Sequence, residues 1–164
     1  MSEEIPYFED QVDKVRPEEP TVERNAVNAI VYDSKTKKVL CLRWNEYDWN
    51  TFIIGGIEGE EDPVEAAKRE ILEETGYKNV EFIEEIGKTK AAFYAAHKKV
   101  NRIANNTGLL FKLVDEEQDQ VSDEELEKHS MIWVPKEEVA DFINIDPQKH
   151  KWQIALKIIE DKFE

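Results

Sequence analysis

The sequence predicts an α/β domain, and three stretches carry that prediction. Ala26–Tyr32 and Lys38–Trp44 are rich in β-branched and apolar residues and are joined by the polar run Asp33–Lys37, a hairpin connection. Pro63–Thr75 carries helix punctuation at both ends. Pro147–Phe163 sets Trp152, Ala155, Leu156, Ile159 and Phe163 at helical spacing with charges between them, which predicts an amphipathic helix packed on the sheet. With 164 residues the chain can bury one real core, and no repeat or low-complexity block divides it.

In chain order, residues 1–20 are acidic, hold three of the six prolines and show no sustained period. They read as an arm, flexible or docked, with Ile5, Tyr7 and Phe8 able to pin it to the body or to a second subunit. The domain proper spans 21–164. After the hairpin, Arg43–Asn50 brings Trp44, Tyr47 and Trp49 close together, and Thr51–Ile54 enters a glycine turn as a short buried strand. Val80–Ile86 and Thr107–Val114 read as further strands. Met131–Pro135 follows a strongly acidic run from Asp115 to Glu127, read as a loop.

Composition narrows the partners. Asp and Glu number 37 against 22 Lys and Arg, a formal charge of −15, which argues against broad, nonspecific binding to nucleic acid or anionic membrane. No apolar run is long enough to span a membrane and no basic-then-apolar start resembles a signal peptide, so the expected compartment is the cytosol. Cys41 stands alone in the apolar run Val39–Leu42, as a buried small residue rather than a nucleophile.

The stretch with the most chemistry is GGIEGEEDPVEAAKREILEETGY, from Gly55 to Tyr77. Asp62 can cap a helix with Pro63 at its first position, Glu65 completes a capping-box spacing, and Gly76 suits a left-handed C-terminal residue. Val64, Ala67 and Ile71 share one face while Glu70, Glu73 and Glu74 stack on another. Three carboxylates in the C-terminal half of a helix repel one another and oppose the helix dipole. A hard cation, Mg²⁺ or Mn²⁺, offsets that cost, because such ions take carboxylate oxygens and bridge to phosphates. A solvated acidic face is the plain alternative for the three glutamates taken alone.

The full spacing tips the balance. Gly55, Glu61, Arg69, Glu70, Glu73, Glu74 and Gly76, with Ile71-Leu72 between, resemble the Nudix box at every defining position. The turn before it departs from the family habit, with Ile53-Ile54 where a Pro-Gly pair is common. The resemblance implies an α/β/α sandwich on a mixed sheet. It also implies metal-dependent hydrolysis of a nucleoside diphosphate linked to another group, by water attacking phosphorus. Glu70, Glu73 and Glu74 become metal ligands, one of them able to activate water, and Arg69 pairs with Glu61 to brace the loop. The family often takes a further carboxylate from before its final strand; Glu124, Glu125 and Glu127 are placed for this, and Glu127 is preferred.

Substrate contacts follow from two other stretches. Arg43 and Trp49 lie on the connection before the glycine turn, where an aromatic ring is either a core plug or a surface for a nucleobase. Between Glu85 and Asp115 there is no Asp or Glu, yet Lys88, Lys90, Lys98, Lys99, Arg102 and Lys112 stand there with Tyr94 and His97. This is either a solvent-facing basic connection or, as preferred, a phosphate-facing wall opposite the metal helix. A small-molecule nucleotide is thus the expected partner: a dinucleoside polyphosphate, a nucleoside triphosphate or a nucleotide sugar. The alternative is a regulatory Nudix module that binds nucleotide or RNA with little turnover. Family members are often dimers, so a homodimer stays open.

Overall fold

The computed structural model describes residues 4–164. Its strands are β1 (Tyr7–Glu9), β2 (Thr21–Asp33), β3 (Lys38–Trp44), β4 (Asn50–Thr51), β5 (Ile53–Gly56), β6 (Val80–Ala95), β7 (Val100–Leu113) and β8 (His129–Pro135). Its helices are α1 (Pro63–Thr75), α2 (Asp123–Lys128), α3 (Val139–Phe142) and α4 (Asp146–Phe163). The strands run in the order β1-β6-β7-β2-β3-β4, with β5 also on β2 and β8 also on β3. β1 on β6 and β7 on β2 are parallel; the other pairings are antiparallel, so the sheet is mixed.

Strand alternation builds two cores, one on each face. Val27, Ala29 and Val31 of β2 join Leu109 and Phe111 of β7 under Ala66, Ala67 and Ile71 of α1. The intervening Ile30 and Tyr32 join Val39, Cys41 and Leu110 under Trp152, Ala155 and Ile159 of α4. Each large apolar side chain removed from water this way contributes about 1.5–3 kcal/mol. The result is the α/β/α sandwich on a mixed sheet that the sequence implied.

Three elements differ from the sequence reading. The basic stretch after Ile86 is not a long connection: β6 and β7 continue through it as a hairpin whose turn lies at 96–99. Pairing on both sides extends these strands, since β6 is held by β1 and β7 by β2. Bulges between Phe82 and Glu84 and between Glu85 and Lys88 broke the alternation that would have announced a long strand. The acidic loop before β8 contains α2, capped by the Ser122 hydroxyl accepting from the Glu125 N–H. The arm is docked. β1 adds to the edge of β6, the Arg16 guanidinium lies 4.1 Å from the Tyr94 ring centroid, and the Asn101 side chain bonds both the Arg16 N–H and the Arg16 carbonyl.

One buried cation sits between α4 and the sheet. Lys151 is fully buried, its Nζ donating to Asn28 Oδ1 and Thr89 Oγ1, both at 2.7 Å. Among the described residues no carboxylate pairs with it, and burial pushes its pKa down from 10.5 to about 7. Between those values the unfolded chain binds more protons than the fold, so this lysine makes stability rise as pH rises from about 7 to about 10.5. Lys151→Met is expected to flatten that rise, as read by urea unfolding at a series of pH values.

Candidate active site

Helix α1 is fixed at both ends by local chemistry. The Asp62 carboxylate accepts from the Val64 and Glu65 N–H groups, Pro63 opens the first turn, and Gly76, at φ 82°, returns its N–H to the Leu72 carbonyl. Ala66, Ala67 and Ile71 bury one side in the core. That orientation sets the three glutamates at the helix edge in unlike environments: Glu73 is exposed, Glu70 half-buried and Glu74 buried at 7% exposure.

Arg69 ties this helix to its loop. It grips Glu61 through two bonds, Nε to Oε2 at 3.0 Å and a terminal nitrogen to Oε1 at 2.9 Å. The same guanidinium donates to Glu70 Oε1 at 2.8 Å and to the Gly56 carbonyl at 3.0 Å, and lies 3.5 Å from Glu73. Its hydrogen bonds hold the Glu61 carboxyl below its ordinary range. For Glu70 burial dominates and raises the pKa, with Arg69 opposing.

Glu74 is the group that lacks a partner. Its Oε2 is buried without a hydrogen bond, and burial, reinforced by the Glu70, Glu125 and Glu73 charges, pushes its pKa up to about 9. Glu125 of α2 and His129 at the start of β8 offer ligand atoms within 4.8 Å of one another and of Glu74. His129 Nε2 lies 3.1 Å from Glu125 Oε2, and the ring packs edge-on to Trp44. An unpartnered carboxylate oxygen facing a second carboxylate and an imidazole is the donor set a divalent cation completes.

The structure sorts the other candidates. Glu61, Arg69, Glu70, Glu73 and Glu74 come together as expected. Glu127 does not join them: it is exposed, and its neighbour two positions back takes the place beside Glu74 because α2 turns Glu125 inward. The spacing Ser122-x-x-Glu125 was the available signal for that helix. Nor do the lysines form a wall. Lys98 and Lys99 lie exposed in the β6–β7 turn; Lys88 is exposed, and Lys90 flanks Thr89 on the opposite side of the strand. Tyr94 is buried under Arg16, and Arg43 lies over the Phe142 ring at 5.6 Å.

Trp49 and Arg102 do reach a cavity of about 820 Å³ on the α4 side of the sheet, bordered also by Arg24, Gly55 and Gly56. Two glycines connect this cavity to the carboxylates. A Cβ on Gly55 would stand 2.1 Å from Glu70 Cδ, and one on Gly56 would stand 2.3 Å from an Arg24 terminal nitrogen. Consecutive strand residues face opposite ways, so Glu70 and Arg24 approach the same two-residue segment from the two faces of the sheet.

A NUDIX domain family profile matches residues 22–156. The chain belongs to the Nudix family. A comparison with curated proteins finds no match. Among solved structures, an Ap4A hydrolase from C. elegans is 17% identical with a TM-score of 0.62, covering 84% of this chain and 99% of its own. The dihydroneopterin triphosphate pyrophosphohydrolase of E. coli is 16% identical, TM-score 0.61, with coverage of 84% and 99%. A MutT protein from Bacillus halodurans is 25% identical, TM-score 0.57, with coverage of 81% and 82%. The chain is a Nudix-type pyrophosphohydrolase.

Two outcomes test this geometry. Gly55→Ala is expected to push the Glu70 carboxylate aside and weaken Mn²⁺ binding by about tenfold or more, read by titration calorimetry. Glu74→Gln is expected to raise the Tm of the chelator-treated protein, because it removes an unpaired buried acid.

Proposed function

We propose that the chain hydrolyses a phosphoanhydride bond in a nucleoside diphosphate-linked substrate, with Mg²⁺ or Mn²⁺ held by Glu70, Glu73 and Glu74 and with Glu125 as a further ligand. The observation that carries this reading is the buried, unpartnered Glu74 oxygen facing Glu125 and His129. When bound, the cation supplies charge neutralisation to the phosphate oxygens and Lewis acidity toward an attacking water.

The protein's own residues do the positioning. Arg69 fixes Glu70 and the Gly56 carbonyl in one frame, so the acidic helix edge and the end of β5 hold a constant separation. His129 orients Glu125 through Nε2, and burial keeps this imidazole's pKa below its ordinary value despite the carboxylate. Facing a carboxylate oxygen, Nε2–H serves as the donor and fixes the Glu125 side chain. The cavity beyond Gly56 supplies room for the remainder of the substrate.

Dinucleoside polyphosphates, nucleoside triphosphates and nucleotide sugars all carry the required bond, and the names of two structural neighbours, an Ap4A hydrolase and a dihydroneopterin triphosphate pyrophosphohydrolase, support testing a dinucleoside polyphosphate and a triphosphate first. A cytosolic location is proposed with the substrate class; no helix of the described residues is long and apolar enough to cross a membrane.

The test is product release from a panel of these compounds with Mg²⁺, with Mn²⁺ and with chelator. Glu73→Gln and Glu74→Gln are each expected to lower turnover about 100-fold or more while the circular dichroism spectrum is retained. Turnover indifferent to chelator and to both substitutions would sink the assignment.

A further inference from the structure

The cavity on the α4 side of the sheet is hollowed by small residues. Parallel pairing of β2 with β7 sets Ala26 beside Asn106 and Arg24 beside Ala104, and antiparallel pairing sets Ala91 of β6 beside Ala104. These positions alternate with the residues under α1, so they share the face on which α4 lies. Farther along the strands that face is filled by α4; here it ends in three alanines. The helix begins beyond them, and its Pro147 and Gln148 line the cavity.

The two ends of the hollow differ in chemistry. At one end are Arg24 and Arg102. Among the described residues no carboxylate pairs with either, and the buried Nε of Arg102 has no acceptor. Two unpaired guanidinium groups in a chain of charge −15 call for an anion. At the other end Gln148, which lines the cavity, is 3% exposed; its Oε1 accepts from the Phe52 N–H at 2.7 Å, and its amide N–H₂ has no acceptor among the described residues. A bound molecule must present an acceptor there.

The side wall is the arm. Phe8 stands in register with Ala91, and Phe93 in register with Arg102, so two rings flank the alanine floor on one side while Trp49, stacked on Tyr47, borders the other. The arm lies outside the residues the family profile matches, which begin at 22. It contacts the cavity from Tyr7 to Gln11. The acids it brings, Glu9 and Asp10, form no ion pair with the two arginines.

We propose that the arm is the specificity wall of this cavity, and that with Arg24, Arg102 and Gln148 it encloses one nucleoside monophosphate unit of the substrate, base on the alanine floor and phosphate at the arginine pair. This rests on the pyrophosphohydrolase reading for the identity of the substrate. It orients that substrate. The phosphate at Arg24 lies against Gly56, one residue from the glycine that receives Glu70, so the chain of phosphates runs from the cavity round the end of β5 to the carboxylates.

The test separates binding from turnover. Titration calorimetry on the full chain in chelator, where nothing is hydrolysed, measures binding of each nucleoside 5′-monophosphate and of inorganic phosphate. At least one nucleotide is expected to bind more tightly than phosphate. Phe8→Ala is expected to weaken it about tenfold by loss of a stacking ring. Ala104→Leu, which fills the hollow without removing any packing, is expected to abolish it, and Arg102→Lys to weaken nucleotide and phosphate alike. In steady-state assays with metal, Phe8→Ala should raise KM and leave kcat near its original value. Nucleotides binding no more tightly than phosphate, or with an affinity untouched by Phe8→Ala and Ala104→Leu, would overturn the proposal. Such a result would leave metal-dependent turnover standing, whereas absent turnover with intact nucleotide binding would strike the hydrolase reading instead.

Discussion

One guanidinium holds the carboxylate frame together. Arg69 reaches the loop through Glu61, its own helix through Glu70, and the sheet through the Gly56 carbonyl. Each of those partners lies on a different element, and no apolar packing could fix three directions at once as a planar five-donor group does. The bidentate grip on Glu61 also cancels charge in a neighbourhood where Glu70, Glu73, Glu74 and Glu125 all repel one another. Without Arg69 the acidic edge of α1 would lose both its fixed separation from β5 and its hydrogen-bonded counter-charge.

Against this frame the sheet works as a partition. Carboxylates gather where α1 covers one face, and the hollow of about 820 Å³ opens on the other face, where α4 stops short. The two faces come nearest to each other's polar groups at the end of β5, where two consecutive glycines leave no side chain on either side. The glycine turn thus has a concrete geometric role: it is the thinnest point of the partition, and the polar groups of both compartments converge on it.

How much of this was legible in the sequence depends on how local each feature is. Helix α1, its cap at Asp62, its stop at Gly76 and the Arg69–Glu61 brace are written within about twenty consecutive residues; spacing located the helix and its ends, and the resemblance to the Nudix box placed the brace. The long strands were not legible, because β6 and β7 owe their length to partners from elsewhere in the chain and their bulges hide the two-residue period. The lysines misled for a related reason. Charge counts along a segment cannot tell which side of a strand a residue takes, and a hairpin sends alternate residues to opposite faces. Glu125 was passed over for Glu127 because a six-residue helix rotates two neighbours apart. Arg24 and Gln148, 124 positions apart, carry no signal at all until the sheet brings their strand and helix together.

The parallel pairing of β2 with β7 also has a consequence for the order in which the molecule assembles. Thr21 meets Asn101 and Tyr32 meets Lys112, a constant separation of 80 residues, so a large loop must close before any of these pairs forms. Helix α1 and the β2–β3 and β6–β7 hairpins need no such closure. The carboxylates of α1 therefore take shape on an early, local fragment, whereas the hollow across β2 and β7 exists only after that long-range closure. On a ribosome, residues 21–32 must wait for the strand ending at Leu113 to emerge, with their backbone edge unpaired on that side until it does.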